Sequence, residues 1–189
     1  MNYKKESYPE NLTDLLNHAD DVAKTILVKL NNPNCKKVGD LYGVATNGKI
    51  KRIKKEFDEL GYAANEPHNI EKPNEFKGLY IFGKEEDGSV IPVYVGISRT
   101  IFRRLRQHGW GKNHNQCSLA YLKTRHKWEK EGKKSNRSTI TSDDMVTAKE
   151  TIQTYKVVLW PVSEDYNLYF LEVALAGKFK TKWNSFRTH

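Results

Sequence analysis

The hydrophobic periodicity of the chain changes at Lys77. From there two short β-rich runs, GLYIFG (78–83) and IPVYVG (91–96), are separated by KEEDGSV, whose Asp87-Gly88 pair signals a tight hairpin turn. TYKVVLWPV (154–162) reads as a further strand, with Pro161 marking its end or an edge. Helical patterns stand between and after these runs. One spans about Arg99 to His108, capped by Ser98 and ended by Gly109; another covers 116–131; the last, YNLYFLEVALAGKFK, begins near Asp165. EGKKSNRSTITSDD (131–144) is polar and basic and reads as a mobile loop. The order β-β-α-(α)-β-α predicts an α+β fold, a small mixed sheet with helices on its faces.

The first 70 residues read as a helical region. Leu12, Leu15, Leu16, Ala19, Val22, Ala23, Ile26, Leu27 and Leu30 recur at helical spacing, with Thr13 as N-cap and Asn31-Asn32-Pro33 as the stop. A second helix is expected from about Gly48 to Leu60, placing Ile50, Ile53, Phe57 and Leu60 on one face and Gly61 at the C-cap. VGDLYGVAT (38–46), between them, reads as a short helix and turn. Residues 12–62 then form a three-helix unit resembling a helix-turn-helix, with Lys49, Lys51, Arg52, Lys54 and Lys55 exposed on its last helix. The alternative is that these helices merely pack against the next domain. AANEPHNIEKPNEFK (63–77) reads as a linker, dividing a region 1–70 from a domain 77–189.

Composition narrows the class. With 38% apolar and 29% charged residues, the chain can build a core and is not a disordered one. No apolar stretch approaches the roughly 18–20 residues needed to span a bilayer, and the N-terminus lacks the apolar run of a signal peptide. Cys35 and Cys117 stand alone, without C-x-x-C or zinc-type spacing, and read as free thiols in a reducing cytoplasm. The net charge is +9, and it is uneven: residues 1–77 hold 13 Lys/Arg against 12 Asp/Glu, whereas 78–189 hold 19 against 11. Such an excess favours a polyanionic partner through counterion release.

Three sets of residues could carry chemistry. Glu172 is the one charged residue between Tyr166 and Gly177. Its helical neighbours Leu168, Leu175 and Ala176 point it toward apolar surroundings. A carboxylate there must be paired or bound to a metal. The alternatives are a salt bridge to an arginine, or a hard divalent cation held by one carboxylate, waters and substrate oxygens. In the second set, Arg104 and His108 lie four apart on one face, with Arg103 and Arg106 on neighbouring faces. That face could reach a reacting phosphate while the flanks contact backbone phosphates, or it could be a solvated helix face. Tyr80 and Tyr94, the third set, read singly as core-edge tyrosines.

Taken in order, these residues resemble the GIY-YIG nuclease superfamily. Gly78-Leu79-Tyr80 and Tyr94-Val95-Gly96 are similar to its two name triads, with Leu and Val in place of Ile. Arg104 follows the second tyrosine by ten residues and His108 comes four later. Glu172 precedes Asn184 by twelve, and Trp183-Asn184-Ser185 looks like the closing motif. The resemblance covers about 78–186. It implies a three-stranded antiparallel sheet flanked by helices, and phosphodiester cleavage with one divalent metal. Glu172 would ligate Mg2+ or Mn2+, and Arg104 would steady the pentacovalent phosphorus. Tyr80 would position or deprotonate water, Tyr94 and His108 would support it, and Asn184 would brace the site.

Arg99, Arg103 and Arg106 are then candidates for the nucleic-acid backbone. So are Lys123, Arg125 and Lys127, in a basic insertion near 123–145 that could equally be a solvated loop. Many members carry a lysine three residues after the second tyrosine, where this chain has Ile97. Ile91-Pro92-Val93-Tyr94 echoes the restriction-type pattern, which ranks restriction or defence above repair. The expectation is a metal-dependent DNA endonuclease. The competing class is a non-catalytic DNA-binding regulator with a relic nuclease fold, and RNA offers the same phosphates. One active site cuts one strand, so a double-strand break calls for a homodimer, a partner or two visits.

Overall fold

The computed structural model describes residues 11–62, 74–184 and 186. Along them run α1 (Leu12–Asn31), a 3-10 turn (Val38–Leu41), β1 (Tyr42–Val44), β2 (Ile50–Arg52) and α2 (Lys54–Glu59). Then come β3 (Gly78–Glu86), β4 (Ser89–Ser98), α3 (Ile101–Trp110), α4 (Ser118–Lys130), α5 (Val146–Gln153), β5 (Lys156–Pro161) and α6 (Asp165–Phe179). They group into two compact units. One takes the described residues of Met1–Cys35, Pro67–Ile101 and Val157–His189, the other those of Lys36–Glu66 and Phe102–Lys156. This grouping interleaves the regions 1–70 and 77–189 expected from sequence.

In the first unit the Asp87-Gly88 turn forms as its chemistry demands. Both residues have positive φ, 47° and 78°, the backbone that matches the twist of a two-residue hairpin. β3 and β4 pair antiparallel from Gly78↔Ser98 to Glu86↔Ser89, with an irregularity at Phe82/Gly83 where Val93 is the extra residue. β5 flanks β3 on its other side, giving a three-stranded antiparallel sheet of order β4-β3-β5. Strand alternation then sorts the side chains. Leu79, Ile81 and Val95, with Val158 of β5, join a core with Ala19, Val22, Ala23, Ile26 and Leu30 of α1 and Leu168, Leu171, Leu175 and Ala176 of α6. Each large aliphatic side chain buried there contributes about 1.5–3 kcal/mol of transfer free energy. The alternate positions of the hairpin carry Tyr80, Phe82 and Tyr94.

α1 starts with its apolar pattern at Leu12, two residues before the helix that a Thr13 cap would begin. Its N-cap is Asn11, whose Oδ1 accepts the Thr13 N–H at 2.9 Å, so Thr13 lies inside the first turn. It ends at Asn31 as expected, and Asn31 Oδ1 also accepts the Val90 N–H at 3.0 Å, tying the helix to the hairpin.

The second unit departs from expectation. Gly48–Leu60 is not one helix: Gly48 turns the chain at φ 73°, Ile50–Arg52 pairs antiparallel with Tyr42–Val44, and only Lys54–Glu59 is helical. Asn47-Gly48 between two short apolar runs is itself a hairpin signal, and it outweighed the helical spacing of Ile50, Ile53 and Phe57. The helix-turn-helix expected over 12–62 is therefore not formed, since α1 packs on the sheet of the other unit.

α5 carries little signal in the sequence, because Ala148 and Ile152 are its only buried positions and Thr147 and Thr151 are weak helix formers. The segment expected to be a mobile loop, 131–144, is a run of turns. Asn136 Oδ1 accepts the N–H groups of Ser138 and Thr139, and Asp144 Oδ2 accepts that of Thr141. The linker expected at 63–77 lies largely outside the described residues, as do Ser185 and the first ten residues. No helix among the described residues is long and apolar enough to cross a membrane.

Candidate active site

Tyr80, Tyr94, Glu172 and Asn184 belong to the first unit, Arg104 and His108 to the second. In the first unit both motif glycines are dictated by packing. Tyr80 is fully buried and pairs in register with Gly96. A Cβ at residue 96 would stand 2.3 Å from Tyr80 Cζ and 2.4 Å from its Oη, so the glycine of one triad makes room for the tyrosine of the other. A Cβ at Gly78 would meet the Trp160 carbonyl oxygen at 2.1 Å, so β3 and β5 approach as closely as they do only because that position is bare. The Tyr80 ring lies 5.3 Å from Phe82 and 6.0 Å from Tyr94, and Phe82 stacks on Tyr94 at 5.9 Å. This aromatic row fixes both tyrosines.

Glu172 sits on α6 one residue after buried Leu171 and one turn from Leu168 and Leu175. Its carboxyl is half-buried, and burial alone pushes its pKa up to about 7. Among the described residues nothing forms an ion pair or hydrogen bond with it. Of the two sequence alternatives, the salt bridge to an arginine is not formed with any described residue. No group of three or more His, Cys, Asp and Glu gathers among the described residues. A single half-buried carboxylate is a donor that Mg2+ can take when water and phosphate oxygens complete its shell.

Asn184 bonds like a peptide unit added to the edge of the sheet. Its Oδ1 accepts the Val95 N–H at 2.8 Å and its Nδ2 donates to the Val95 carbonyl at 2.7 Å. Thr181 Oγ1 donates to the same Oδ1 at 2.9 Å, and the Trp183 N–H reaches the Val93 carbonyl at 3.2 Å. The residues after α6 are thus laid along β4 on both sides of Tyr94. Arg99 pairs with Asp165 at the start of α6, and Lys77 joins at 2.9 Å. Burial would raise the Asp165 pKa, but Lys77 and Arg99 outweigh it and hold the carboxyl below its usual range.

In the second unit Arg104 Nη1 donates to the Gln116 and Asn115 carbonyls at 3.0 and 3.4 Å, and its Nη2 to Ser118 Oγ at 2.7 Å. These acceptors are neutral, so they orient the guanidinium without cancelling its charge. His108 is fully buried one turn later. Burial, with the neighbouring Arg104 adding to it, drives its pKa well below 6.5 and keeps the imidazole neutral.

Arg103 is exposed, and Arg106 donates to the Ile50 carbonyl at 3.3 Å. The three candidate cations named in the expected insertion are occupied: Lys123 donates to Tyr155 Oη at 2.8 Å, Arg125 pairs with Glu129 at 2.7 Å and Lys127 with Glu131 at 3.9 Å. Thr181, Gln116 and Ser118, which hold Asn184 and Arg104, carried no signal in the sequence, because their roles exist only once the loops are placed.

No family model, no curated protein and no solved structure matches the chain.

Proposed function

We propose that the chain is a divalent-metal-dependent DNA endonuclease of the GIY-YIG type, acting in the cytoplasm, with restriction or defence ranked above repair. The observation that carries the reading is Glu172. A half-buried carboxylate with no partner among the described residues is costly for a purely structural helix, and it suits a metal ligand.

Glu172 would hold Mg2+ or Mn2+, which when bound supplies Lewis-acid stabilisation of the charge growing on the leaving oxygen. Tyr80 would orient the attacking water or, as its phenolate, take the water's proton and later release it to solvent. An unperturbed tyrosine, with a pKa near 10, is a weak base, so cationic neighbours must assist it. The water oxygen bonds to phosphorus as the P–O bond to the leaving oxygen breaks, and that oxygen is then protonated from solvent. Arg104 stabilises the pentacovalent phosphorus electrostatically. His108, held neutral, serves as a hydrogen-bonding support and not as a proton donor at neutral pH. Asn184 braces the strand that carries Tyr94. A double-strand break then needs a homodimer, a partner or two visits. The rival reading, a non-catalytic DNA-binding regulator with a relic nuclease fold, loses the helix-turn-helix expected over 12–62, which the described residues do not form.

The test is incubation of supercoiled plasmid with the protein in Mg2+ or in EDTA, beside Arg104→Ala and Glu172→Ala. Metal-dependent nicking or linearisation, lost in both variants, is expected. Binding without any cutting of plasmid or branched DNA would overturn the catalytic assignment.

A further inference from the structure

The two compact units differ sharply in charge. The ranges of the first hold 12 Lys/Arg against 13 Asp/Glu, those of the second 20 against 10. Within the second unit no Asp or Glu occurs between Leu41 and Lys55, and none between Phe102 and Trp128. The fold brings these two acid-free stretches together. Arg106 on α3 donates to the Ile50 carbonyl of β2 at 3.3 Å, the Arg52 guanidinium lies 4.5 Å from the Phe102 ring centre, and Tyr42 Oη donates to the Phe102 carbonyl. Beneath them Tyr42, Phe57, Phe102 and Trp110 form a ring cluster with centroid distances of 4.7–5.7 Å. The hairpin is therefore pinned to α3.

Lys49, Lys51, Lys54 and Arg103 are exposed and form no ion pair with any described residue. The acidic groups nearest in sequence are on α2, where Glu56 and Glu59 are held by Lys36 at 2.6 and 2.8 Å and Asp58 is exposed. In the 123–137 segment Arg125, Lys127 and Lys133 are each paired with Glu129 or Glu131, while Lys130, Lys134 and Arg137 are exposed.

We propose that the β1–β2 hairpin and the outer face of α3 form one cationic surface that grips duplex DNA, the hairpin entering the major groove while Arg103 and Arg106 contact flanking phosphates. It rests on the nucleic-acid part of the nuclease reading, keeps Arg103 and Arg106 in the grip and replaces 123–127 with Lys49 and Lys51. Uncompensated cations suit a phosphate backbone, whose counterions they release. A two-stranded ribbon fits the roughly 12 Å major groove of B-DNA, whereas the deep, narrow groove of A-form RNA excludes it.

The test is anisotropy of a fluorescein-labelled DNA duplex in EDTA, titrated with salt so that no cutting intervenes. Lys49→Ala/Lys51→Ala/Arg103→Ala should weaken binding about 10- to 100-fold at physiological salt and lower the salt slope by about 2–3. Lys127→Ala/Lys133→Ala should bind as wild type. Lys49→Arg/Lys51→Arg/Arg103→Lys, which keeps the charges, should retain affinity and shows that a loss reflects charge and not misfolding. Wild-type binding by the triple alanine variant, an equal loss in the 127/133 variant, or stronger competition by duplex RNA than by duplex DNA each overturns the surface. Plasmid cutting that persists when binding ignores the triple variant sinks this proposal alone. Charge-sensitive binding without cutting sinks the nuclease reading alone.

Discussion

Tyr80 and Gly96 occupy paired positions in β3 and β4, and the tyrosine ring fills the space that a side chain at residue 96 would take. The ring cannot swing aside, because it is fully buried against Phe82 and Tyr94. Gly96→Ala should therefore destabilise the protein by about 1–3 kcal/mol, and Tyr80→Phe should not rescue it, since Cζ remains. Gly78→Ala should cost more, because its Cβ would meet the Trp160 carbonyl of the backbone. Urea unfolding of the two single variants and of Gly96→Ala/Tyr80→Phe checks both expectations.

The raised pKa of Glu172 has a stability consequence with a definite sign. The folded carboxyl titrates near 7 and the unfolded one near 4.5, so between these values the folded state binds more protons. Stability from this group is present below about pH 4.5 and is lost as pH rises through 7. Glu172→Gln should accordingly melt higher than wild type at pH 8, by a margin that shrinks toward zero as the pH is lowered to 4.5. Adding Mg2+ at pH 8 should raise the melting temperature of wild type and leave the glutamine variant unmoved. A margin independent of pH would remove the desolvated carboxylate from consideration.

His108 acts in the opposite direction. Its folded pKa lies well below 6.5, so as pH falls below 6.5 the unfolded state takes up a proton that the folded state refuses. Stability from the neutral imidazole is full above that pH and declines beneath it. His108→Gln should flatten the acid limb of a stability–pH curve, measured by thermal melts between pH 7 and 5. An unchanged limb would show that the imidazole is not buried in its neutral form.

Asn184→Ala removes both hydrogen bonds to Val95 and leaves a strand-edge peptide unpaired, at an expected cost of about 1–3 kcal/mol. Asn184→Asp should be no better, because it loses the donor to the Val95 carbonyl and sets a carboxylate against that oxygen. If Asn184 positions the strand of Tyr94, either change should also raise hydrogen exchange at the Val95 amide.

Local chemistry was sufficient for the hairpin of the first unit: Asp87-Gly88 dictates its turn, and the alternation of Leu79 and Ile81 with Tyr80 and Phe82 dictates its faces. The same holds for α1, for the start of α6 at Asp165 and for the apolar setting of Glu172, since each follows from spacing or capping within a few residues. The helical pattern of Ile50, Ile53 and Phe57 misled because three apolar residues at helical spacing compete with Asn47-Gly48. Packing of Phe57 and Tyr42 against Phe102 decides the outcome in favour of a hairpin. Whether Glu172 meets an arginine, whether Lys123 faces solvent or Tyr155, and what Asn184 bonds to depend on residues far along the chain. Spacing and turn chemistry specify which way a side chain faces. The partner it meets is decided only when distant segments close on one another: among the described residues Glu172 meets none, whereas Asn184 finds Val95 and Arg106 finds Ile50.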